Sequence, residues 1–341
     1  FILLYTKKNK LMKYILTGGS GFIGSHFTEC FTKDIYCNID IINPKTENNH
    51  IKLDINDKSS LLKIKLDIAN DFTLIHLAAV HFDFQKSFYQ TNVDGTKNIL
   101  DFIEKNKIKT FVFFSSVAVY GNSDNGKNEE SEKNPINDYG KSKWQAEELI
   151  RKWHKKNQHC RVIIVRPSVV FGEYNFGNVF NLITQIKSKL YAIIGNGKNI
   201  KSVAYVKNLV DSVRFALRNV TQNYFEYNYC DYPQLNTLDL SNTISEKLNY
   251  KRPVSIPLYL TKFISLPIDV LEGVFKKDLK FNSKRIKKFT ESTYFASDKI
   301  RDLGFKQVYD MQKSIANTLN WIDSNETSNL REEWYNRAKK L

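Results

Sequence analysis

Apolar runs and amphipathic stretches alternate along the chain from residue 14 to about residue 171. Segments such as KTFVFFSS and RVIIVRP are apolar almost without interruption, which is typical of strands that are covered on both faces. The stretches between them, such as NVDGTKNILDFIEKN, repeat their apolar residues at helical spacing. This alternation predicts an α/β fold in which a parallel sheet carries helices on both faces.

The second half of the chain is less regular and predicts a different kind of unit. Helical patterns occur in FGNVFNLITQIKSK, VKNLVDSVRFALRN and TLDLSNTISEKLN, with short strands between them. We therefore expect a Rossmann-type doubly wound domain over residues 12–175, followed by a smaller C-terminal cap that binds substrate. The cap covers most of residues 176–325, with segments that return to the first domain. Residues 1–11 are expected to be an extension, and residues 326–341 a C-terminal tail.

The first strand-like segment ends in a cluster of glycines, YILTGGSGFIG. Gly18, Gly21 and Gly24 stand at the turn from strand to helix. Glycines there permit a tight turn, the close approach of a pyrophosphate and close packing of the helix on the strand. The helix that follows offers N–H groups and a partial positive charge to phosphates. The sequence therefore predicts a dinucleotide site at this turn.

Two carboxylates accompany the predicted dinucleotide site. Asp40 ends the second strand-like segment, where a carboxylate accepts hydrogen bonds from ribose hydroxyls and repels a 2′-phosphate. NAD is therefore favoured over NADP, although Asp40 is also explained as the start of the next turn. Asp54, in IKLDIND, is either a contact to the adenine or a helix N-cap.

Composition narrows the class of protein without identifying it. The 341 residues are 42% hydrophobic, as in ordinary globular proteins, and contain no run of about 18 uncharged apolar residues that would span a membrane. Four scattered cysteines without CxxC spacing predict reduced thiols in the cytoplasm and no metal site. The net charge of +15 suits a polyanionic partner or reflects a genome that favours Lys and Asn. No nucleic-acid-binding motif accompanies it, so no nucleic-acid partner is expected.

The segment YGKSKWQAEELIRKW begins a predicted helix and places Tyr139 and Lys143 on one helix face, four residues apart. The pair is either an ordinary helix surface or an acid–base device. At about 4 Å and an effective dielectric constant near 20, an ammonium attracts a phenolate by roughly 4 kcal/mol. Such an attraction predicts that the pKa of Tyr139 falls from about 10 towards about 7, where a general base works best.

Six motifs in a fixed order favour the acid–base interpretation: the glycine cluster, HLAA at residues 76–79, NVDGT at 92–96, SSVAVYG at 115–121, YxxxK at 139–143 and RPSVVFG at 166–172. Together they resemble the extended short-chain dehydrogenase/reductase family and, within it, the NAD-dependent epimerases and dehydratases of sugar nucleotides. The resemblance extends from residue 12 to about residue 321. It implies an enzyme in which NAD stays bound and is regenerated in each turnover.

The resemblance also assigns roles to individual residues. It implies that Tyr139 is the general base, and that Lys143 lowers the pKa of Tyr139 and holds the nicotinamide ribose. Ser116 is expected to share the proton path and orient the sugar, with Ser115 as its adjacent competitor. The residues expected to bind the cofactor are Gly18, Gly21, Phe22, Ile23, Gly24, Asp40, Asp54, Leu77, Ala78, Ala79, Asn92, Ser115, Tyr139, Lys143, Arg166 and Pro167. The residues expected to bind the substrate are Ser116, Val117, Asn178 and Lys201.

The residues that follow Ser116 bear on the reaction. The 4,6-dehydratases of the family have an Asp–Glu pair there, whereas this chain has Val117 and Ala118, which cannot protonate a leaving hydroxyl. The resemblance therefore implies C4 epimerisation of a hexose, N-acetylated or not, linked to UDP or undecaprenyl diphosphate, in surface-polysaccharide synthesis. The alternatives are an NAD(P)H-dependent reductase of 4-ketosugar nucleotides and, more remotely, a non-enzymatic NAD-binding regulator.

Further features concern the substrate carrier and partners. Lys201 stands where the family usually has an arginine beside the diphosphate, and Asn178 is either a diphosphate ligand or a helix N-cap. The segment RPVSIPLYLTKFISLPIDVLEGVFKK is apolar, and a basic run over residues 276–288 follows it. This segment is either a core helix of the cap or a peripheral contact with the inner face of the membrane. The resemblance also implies a homodimer.

Overall fold

The computed structural model describes residues 12–44, 49–67, 71–81, 88–261, 286, 289–324 and 327–340. The strands are β1 (Met12–Thr17), β2 (Ile35–Asp40), β3 (His50–Lys52), β4 (Asp71–His76), β5 (Thr110–Phe114), β6 (Ser123–Lys127), β7 (Arg161–Pro167), β8 (Val169–Phe171), β9 (Ile193–Ile194), β10 (Val203–Tyr205), β11 (Tyr224–Tyr229), β12 (Ser255–Ile256) and β13 (Thr293–Phe295). The helices are α1 (Phe22–Phe31), α2 (Lys58–Leu61), α3 (Thr96–Asn106), α4 (Asp138–His154), α5 (Asn178–Lys187), α6 (Val206–Asn219), α7 (Thr237–Lys247), α8 (Asp298–Asp302), α9 (Met311–Ser324) and α10 (Thr327–Lys340). A 3₁₀ turn, Val117–Tyr120, follows β5.

Seven strands form one parallel sheet in the order β3-β2-β1-β4-β5-β7-β11. β1 lies inside the sheet, where Thr17 pairs with Ile39 of β2 on one side and with His76 of β4 on the other. The chain proceeds from β1 to one edge through β2 and β3, and then crosses to β4. The strand order therefore reverses between β1 and β4, and open α/β sheets bind ligands beyond the carboxyl ends of their strands at such a point.

Helices cover both faces of this sheet, which explains why its strands are apolar without interruption. On one face, Leu16 packs in a cluster with Phe27 of α1 and with side chains of α6. On the other face, the adjacent Ile15 packs in a cluster with Ile103 of α3 and Ile150 of α4. Successive residues of one strand thus enter opposite cores. The predicted doubly wound α/β fold is confirmed.

The residues outside the large sheet form smaller units. In the described part of the chain β8 pairs with β10, β9 with β12 and β6 with β13, all in parallel. α5, α7 and α9 share a separate hydrophobic cluster that buries Ile183, Ile244 and Ile315. β11, by contrast, returns to the large sheet beside β7. The division into a Rossmann domain and a cap stays a prediction, with which these contacts agree.

The C-terminal residues differ from the expectation of a simple tail. They form α10, in which Leu330 and Trp334, four residues apart, pack against the cluster of α5, α7 and α9. The ring of Trp334 lies 5.9 Å from that of Phe176, and Arg331 donates a hydrogen bond to Asn181 of α5. One apolar helix face is therefore enough to hold this polar segment against the rest of the chain.

Candidate active site

The carboxyl end of β1 turns into α1 through the glycine cluster. Gly18 has a left-handed backbone conformation, φ +73°, and a Cβ there would lie 2.5 Å from the backbone nitrogen of Ala78. At Gly24 a Cβ would lie 2.2 Å from the carbonyl oxygen of Gly18. Both positions require glycine, because the obstructing atoms belong to the backbone. Gly21 is the N-cap of α1, and a glycine there leaves the first N–H groups of the helix without a side-chain cap.

Two side chains of β2 hold the glycine cluster in place. Asn38 accepts a hydrogen bond from the N–H of Gly19 at 3.0 Å and donates one to the hydroxyl of Ser20 at 3.1 Å. The Asp40 carboxylate accepts from the N–H of Ser20 and from that of Ile42, both at 2.9 Å. Asp40 therefore starts the next turn and also lies beside the cluster, as the ribose contact requires. Burial raises the pKa of Asp40, although these hydrogen bonds oppose the rise.

The segment after β4 lies against the glycine cluster on the other side. Leu77 donates its backbone N–H to the carbonyl of Thr17 at 2.9 Å, and the backbone of Ala78 contacts Gly18. His76 is buried between the hydroxyls of Thr17 and Thr96, and burial lowers its pKa to about 3. His76 is therefore a neutral support of this segment. The structure thus brings together the predicted cofactor residues Gly18, Gly21, Phe22, Ile23, Gly24, Asp40, Leu77, Ala78 and Ala79 at the carboxyl ends of β1, β2 and β4.

Asp54 lies at the start of a turn and does not cap a helix. Its carboxylate accepts a hydrogen bond from the N–H of Asn56 at 2.9 Å. The N-cap of α2 is Asp57, whose carboxylate accepts from the N–H of Ser60. The N-cap interpretation of Asp54 is therefore wrong by three residues, because the chain turns once more before α2 begins. Its contact with an adenine stays a prediction.

Ser116, Tyr139 and Lys143 meet beyond the carboxyl end of β5. The Ser116 hydroxyl faces the Tyr139 phenol, where it lowers the pKa of that phenol as a hydrogen-bond donor would. The Lys143 ammonium donates to the carbonyl of Phe114 at 2.8 Å and lies 4.9 Å from the centre of the Phe113 ring. Lys143 is thus buried and Tyr139 partly buried beyond the carboxyl end of β5, so the pair is not an ordinary helix surface.

Two local features set α4 against the end of β5. Asn137 caps α4, since its side chain accepts from the N–H of Gly140 at 2.8 Å. Gly140 lets the helix approach the 3₁₀ turn, because a Cβ there would lie 2.6 Å from the carbonyl oxygen of Ala118. Ser116 begins the same turn, and its hydroxyl accepts from the N–H of Ala118 at 3.1 Å. The glycine after Tyr139 therefore allows the phenol to reach Ser116.

The pKa values of this pair differ from the sequence-based expectation. Burial raises the pKa of Tyr139 to about 12, and the hydrogen bond from Ser116 opposes part of that rise. Burial also lowers the pKa of Lys143 to about 7, against the field of the Glu147 carboxylate. The expectation that Lys143 alone brings Tyr139 towards 7 is wrong, because loss of water disfavours the charged form of both side chains.

A buried ion-pair cluster lies beside the pair, and we call it the Glu147 cluster: Ser115, Tyr120, Glu147, Arg166 and Glu226. Glu147, fully buried, accepts a hydrogen bond from the Ser115 hydroxyl and two from Arg166, at 2.9 and 2.6 Å. Arg166 also donates to the Tyr120 hydroxyl at 2.8 Å and lies 3.1 Å from Glu226. The cluster joins the carboxyl ends of β5 and β7 and the middle of β11 to α4.

Three residues predicted to bind the cofactor have side chains committed elsewhere. Arg166 is 0% exposed and its guanidinium is enclosed in the Glu147 cluster, so only the contact of its backbone with a cofactor stays a prediction. The hydroxyl of Ser115 is bound to Glu147, which leaves Ser116 as the hydroxyl that faces Tyr139. The amide of Asn92 is bound to the backbone of Val80 and to Ser142. Motif positions of this kind support the site from within the core. The buried Pro167, at the end of β7, stays a prediction.

The predicted substrate residues lie on three different elements. Val117 is in the 3₁₀ turn and is 8% exposed. Asn178 is the exposed first residue of α5, and Gly177 is its N-cap, so the N-cap interpretation of Asn178 is wrong by one residue. The Lys201 ammonium donates to the carbonyl of Glu291 at 2.6 Å. Contacts of Asn178 and Lys201 with a diphosphate stay predictions.

Most of the proposed membrane-contact segment lies outside the described residues. Only the part before residue 262 is described, including β12, and of the basic run over residues 276–288 only residue 286 is. None of the helices in the described ranges combines the length and apolar character that crossing a bilayer requires.

Sequence reasoning missed Glu147, Asn38 and Tyr120. Glu147 continues the four-residue spacing of Tyr139 and Lys143, so helix periodicity could have found it. Asn38 and Tyr120 carry no comparable signal, since their partners Gly19 and Arg166 lie 19 and 46 residues away.

Comparisons with known proteins give a family match and similar relatives. Residues 14–229 match the model of the NAD dependent epimerase/dehydratase family. The chain is 36% identical over 316 residues to N-acetyl-alpha-D-glucosaminyl-diphospho-ditrans,octacis-undecaprenol 4-epimerase of Escherichia coli O157:H7, covering 90% of this chain and 94% of that protein. It is 31% identical over 250 residues to dTDP-D-glucose 4,6-dehydratase of Dictyostelium discoideum, covering 61% of this chain and 56% of that one.

Solved structures share the fold. UDP-N-acetylglucosamine 4-epimerase from Methanobrevibacter ruminantium M1 superposes with a TM-score of 0.71 at 21% identity, over 92% of this chain and 99% of that chain. UDP-glucuronic acid 4-epimerase from Bacillus cereus, solved with NAD, gives a TM-score of 0.70 at 22% identity, over 92% and 99% of the two chains. At this level of identity the likeness establishes the fold.

Proposed function

Since this chain belongs to the NAD-dependent epimerase/dehydratase family, we propose that it is an NAD-dependent C4-epimerase of a diphosphate-linked hexose. The observation that carries the proposal is the placement of Ser116, at the start of the 3₁₀ turn after β5, against Tyr139 of α4, with Lys143 one turn further along α4. The relative from Escherichia coli, similar over 90% of this chain, carries the name of a 4-epimerase of a lipid-diphosphate-linked amino sugar.

The glycine cluster fits NAD by shape. Gly18 and Gly24 leave room where any Cβ would collide with backbone, and α1 directs its first N–H groups to the same place. Asp40 is placed to accept hydrogen bonds from an adenosine ribose that carries no phosphate. When bound, NAD supplies a reversible hydride acceptor and, when oxidised, a positive charge on its nicotinamide ring.

Tyr139 removes the proton from the sugar 4-hydroxyl, and Ser116 orients that hydroxyl and shares the proton. Burial raises the pKa of Tyr139 to about 12, so the phenolate forms only where positive charge is close. Lys143 supplies part of that charge when it is an ammonium, and it also holds the nicotinamide ribose. The base is therefore strong only in the assembled site, which suits a step that must run in both directions.

The residues after Ser116 favour epimerisation over dehydration. Val117 is buried and apolar, and Ala118 contributes its backbone N–H to the Ser116 hydroxyl. Neither side chain donates a proton to a leaving group, so elimination of a hydroxyl has no acid here. What this site supports is removal of hydrogen from one carbon and its return to the opposite face.

We further propose that the hexose is N-acetylated and that its carrier is undecaprenyl diphosphate, as in the name of the Escherichia coli relative. Lys201 and Asn178 bind the diphosphate, Lys201 as a point charge instead of an arginine fork. The enzyme works in the cytoplasm at the inner face of the membrane, and two chains form a homodimer.

A 4-ketosugar nucleotide reductase is the second candidate. Asp40 argues against it, because a carboxylate beside the ribose disfavours the 2′-phosphate of NADPH, the common biosynthetic reductant. A purely regulatory NAD-binding role is disfavoured by the acid–base pair, which binding alone does not require.

The test is incubation of the purified protein with UDP-GlcNAc and with an undecaprenyl-diphosphate-linked GlcNAc, without added reductant. We expect one of them to yield a GlcNAc/GalNAc mixture while the cofactor stays oxidised on average. A parallel incubation offers a 4-ketosugar nucleotide with NADH. Stoichiometric consumption of NADH, with no interconversion of either GlcNAc substrate by folded, NAD-loaded protein, would establish the reductase instead.

A further inference from the structure

Glu147 occupies a position that the proton-transfer scheme does not use. It lies on the face of α4 that carries Tyr139 and Lys143, each one turn from the next. Its carboxylate is fully buried and bonded to Ser115, directly before Ser116, and to Arg166 near the end of β7. The Glu147 side chain therefore connects α4, which carries the proposed base Tyr139, to the end of β5, which Ser116 follows.

The charges around Lys143 make Glu147 electrostatically important. On its own helix Lys143 shares a face with Tyr139 and Glu147 and feels the field of the Glu147 carboxylate. His76, at the end of β4, and His81, after it, feel the field of Lys143. His76 is neutral, because burial lowers its pKa to about 3, whereas His81 lies exposed at the surface. Among the described residues, Glu147 is the anion whose field favours the ammonium of Lys143.

The carboxylate of Glu147 is in turn shared with other groups. It is held by two hydrogen bonds from Arg166, so only part of its field reaches Lys143. The titratable or charged groups that face the cluster from outside it are Glu129, Lys133, Arg151 and Tyr224. Burial of Lys143 favours its neutral amine, whereas the Glu147 carboxylate, which also binds Arg166, favours its ammonium.

We propose that Glu147 is a positioning residue of the acid–base site, which seats α4 so that Tyr139 meets Ser116 and whose carboxylate favours the ammonium form of Lys143. Its charge makes Lys143 an effective neighbour of the phenolate, and its hydrogen bonds fix the register of α4 against β5. The kinetic consequence rests on the proposed epimerase function, whereas the charge of Lys143 does not.

The experiment follows Lys143 itself. The NAD-loaded protein is labelled with ¹³C in the lysine side chains, and the Lys143 signal is identified by its loss in Lys143→Arg. In Glu147→Gln we expect Lys143 to titrate at lower pH than in the parent protein. In Glu147→Asp, which keeps the charge, its titration should remain close to that of the parent. Glu226→Gln is the matched control, since Glu226 contacts the same Arg166 from β11 and not from α4.

A second variant guards against misfolding. Glu147→Gln leaves the Arg166 guanidinium buried without its main partner, which is strongly destabilising in general. The double variant Glu147→Gln/Arg166→Gln removes both charges, and in it too Lys143 should titrate at lower pH. If Lys143 titrates as in the parent in whichever of these two variants folds, the proposal is overturned.

Kinetics give the second readout. Where the parent protein epimerises, we expect Glu147→Gln to lose activity at lower pH on the alkaline side, with kcat at pH 8 reduced about tenfold or more and KM little changed. Glu147→Asp should restore most of the alkaline limb. If Glu147→Gln and Glu226→Gln lose kcat equally and neither pH profile changes, Glu147 contributes only to the stability of the fold. A parent protein without epimerase activity would refute the proposed function but leave the Lys143 titration readable.

Discussion

The two ends of the site are built by different means. At the carboxyl ends of β1 and β2 the chain offers backbone: glycines that leave space, amide groups of α1, and side chains of Asn38 and Asp40 that fasten the loop. Beyond β5 it offers side chains in a buried, charged setting, where Ser116, Tyr139 and Lys143 meet the Glu147 cluster.

The difference shows which property limits each end. The cofactor end depends on shape, because a Cβ added at Gly18 would lie only 2.5 Å from the backbone nitrogen of Ala78. The chemical end is limited by charge, because burial moves the pKa values of Tyr139 and Lys143 in directions that oppose their proposed roles. Substitutions should therefore act on binding and stability at the first end, and on kcat and pH dependence at the second.

The largest effect is expected for Tyr139→Phe. The variant keeps the ring and its packing against Phe88 but has no proton to exchange, so kcat should fall about 10³-fold. NAD content and the melting temperature should stay near those of the parent protein. Tyr36→Phe is the control, since Tyr36 lies near the amino end of β2, away from the site. Turnover at the parental rate in Tyr139→Phe would refute the proposed base.

The next effect belongs to the cofactor end and is measured as stability and NAD retention. Gly18→Ala should cost a few kcal/mol, since it combines a strained positive φ with a backbone collision. Gly304→Ala separates the backbone strain from the collision, because Gly304 has a positive φ of +98° but no atom within 4 Å of an added Cβ. It should cost about 1 kcal/mol and leave NAD bound. Equal losses of stability and NAD in the two variants would contradict the steric argument.

A smaller effect is expected at Ser116. Ser116→Ala removes the hydroxyl that bonds to Tyr139, and kcat should fall roughly 10- to 100-fold with the fold unchanged. Ser116→Thr retains the hydroxyl and should recover most of the activity. Steady-state kinetics of the two variants at one pH decide this. If both lose activity equally, the role of position 116 lies in the 3₁₀ turn and not in its hydroxyl.

The contrast between the two ends also explains how far the sequence could lead. The glycine cluster and the strand ends follow from local pattern, because tight turns and solid apolar strands leave a signature within a few residues. Tyr139 and Lys143 follow from helix spacing. The fold, the NAD site and the hydroxyl–phenol pair were therefore within reach of the sequence.

What the sequence could not supply are pairings between distant residues and their effect on charge. Arg166 was assigned to the cofactor because its motif suggested so, yet Glu147 and Tyr120 enclose it. The Asn92 amide is likewise bonded within the core, to Val80 and Ser142, which lie 12 and 50 residues away along the chain. The fall expected in the Tyr139 pKa was wrong because spacing gives distance along a helix but not burial.

The smallest effect is expected at Asp231 and concerns the pH dependence of stability. It compares this buried carboxylate with that of Glu147, which is paired with a guanidinium. Asp231 is 1% exposed and accepts hydrogen bonds from the N–H of Tyr205 and the hydroxyl of Tyr229, and burial raises its pKa to about 7. The folded state thus holds this proton more tightly than the unfolded chain, where an aspartate titrates near pH 3.9.

Asp231 should therefore contribute stability that is fully present below about pH 4 and lost as the pH rises towards 7. Asp231→Asn cannot ionise, so its free energy of unfolding should decline less between pH 4 and 7, by on the order of 1–3 kcal/mol. Urea unfolding at several pH values measures the slope, with the exposed Asp239→Asn of α7 as control. A slope unchanged from the parent would mean that Asp231 is ionised throughout this range, and that neutral donors together with the charge of Arg301 hold this carboxylate as well as Arg166 holds Glu147.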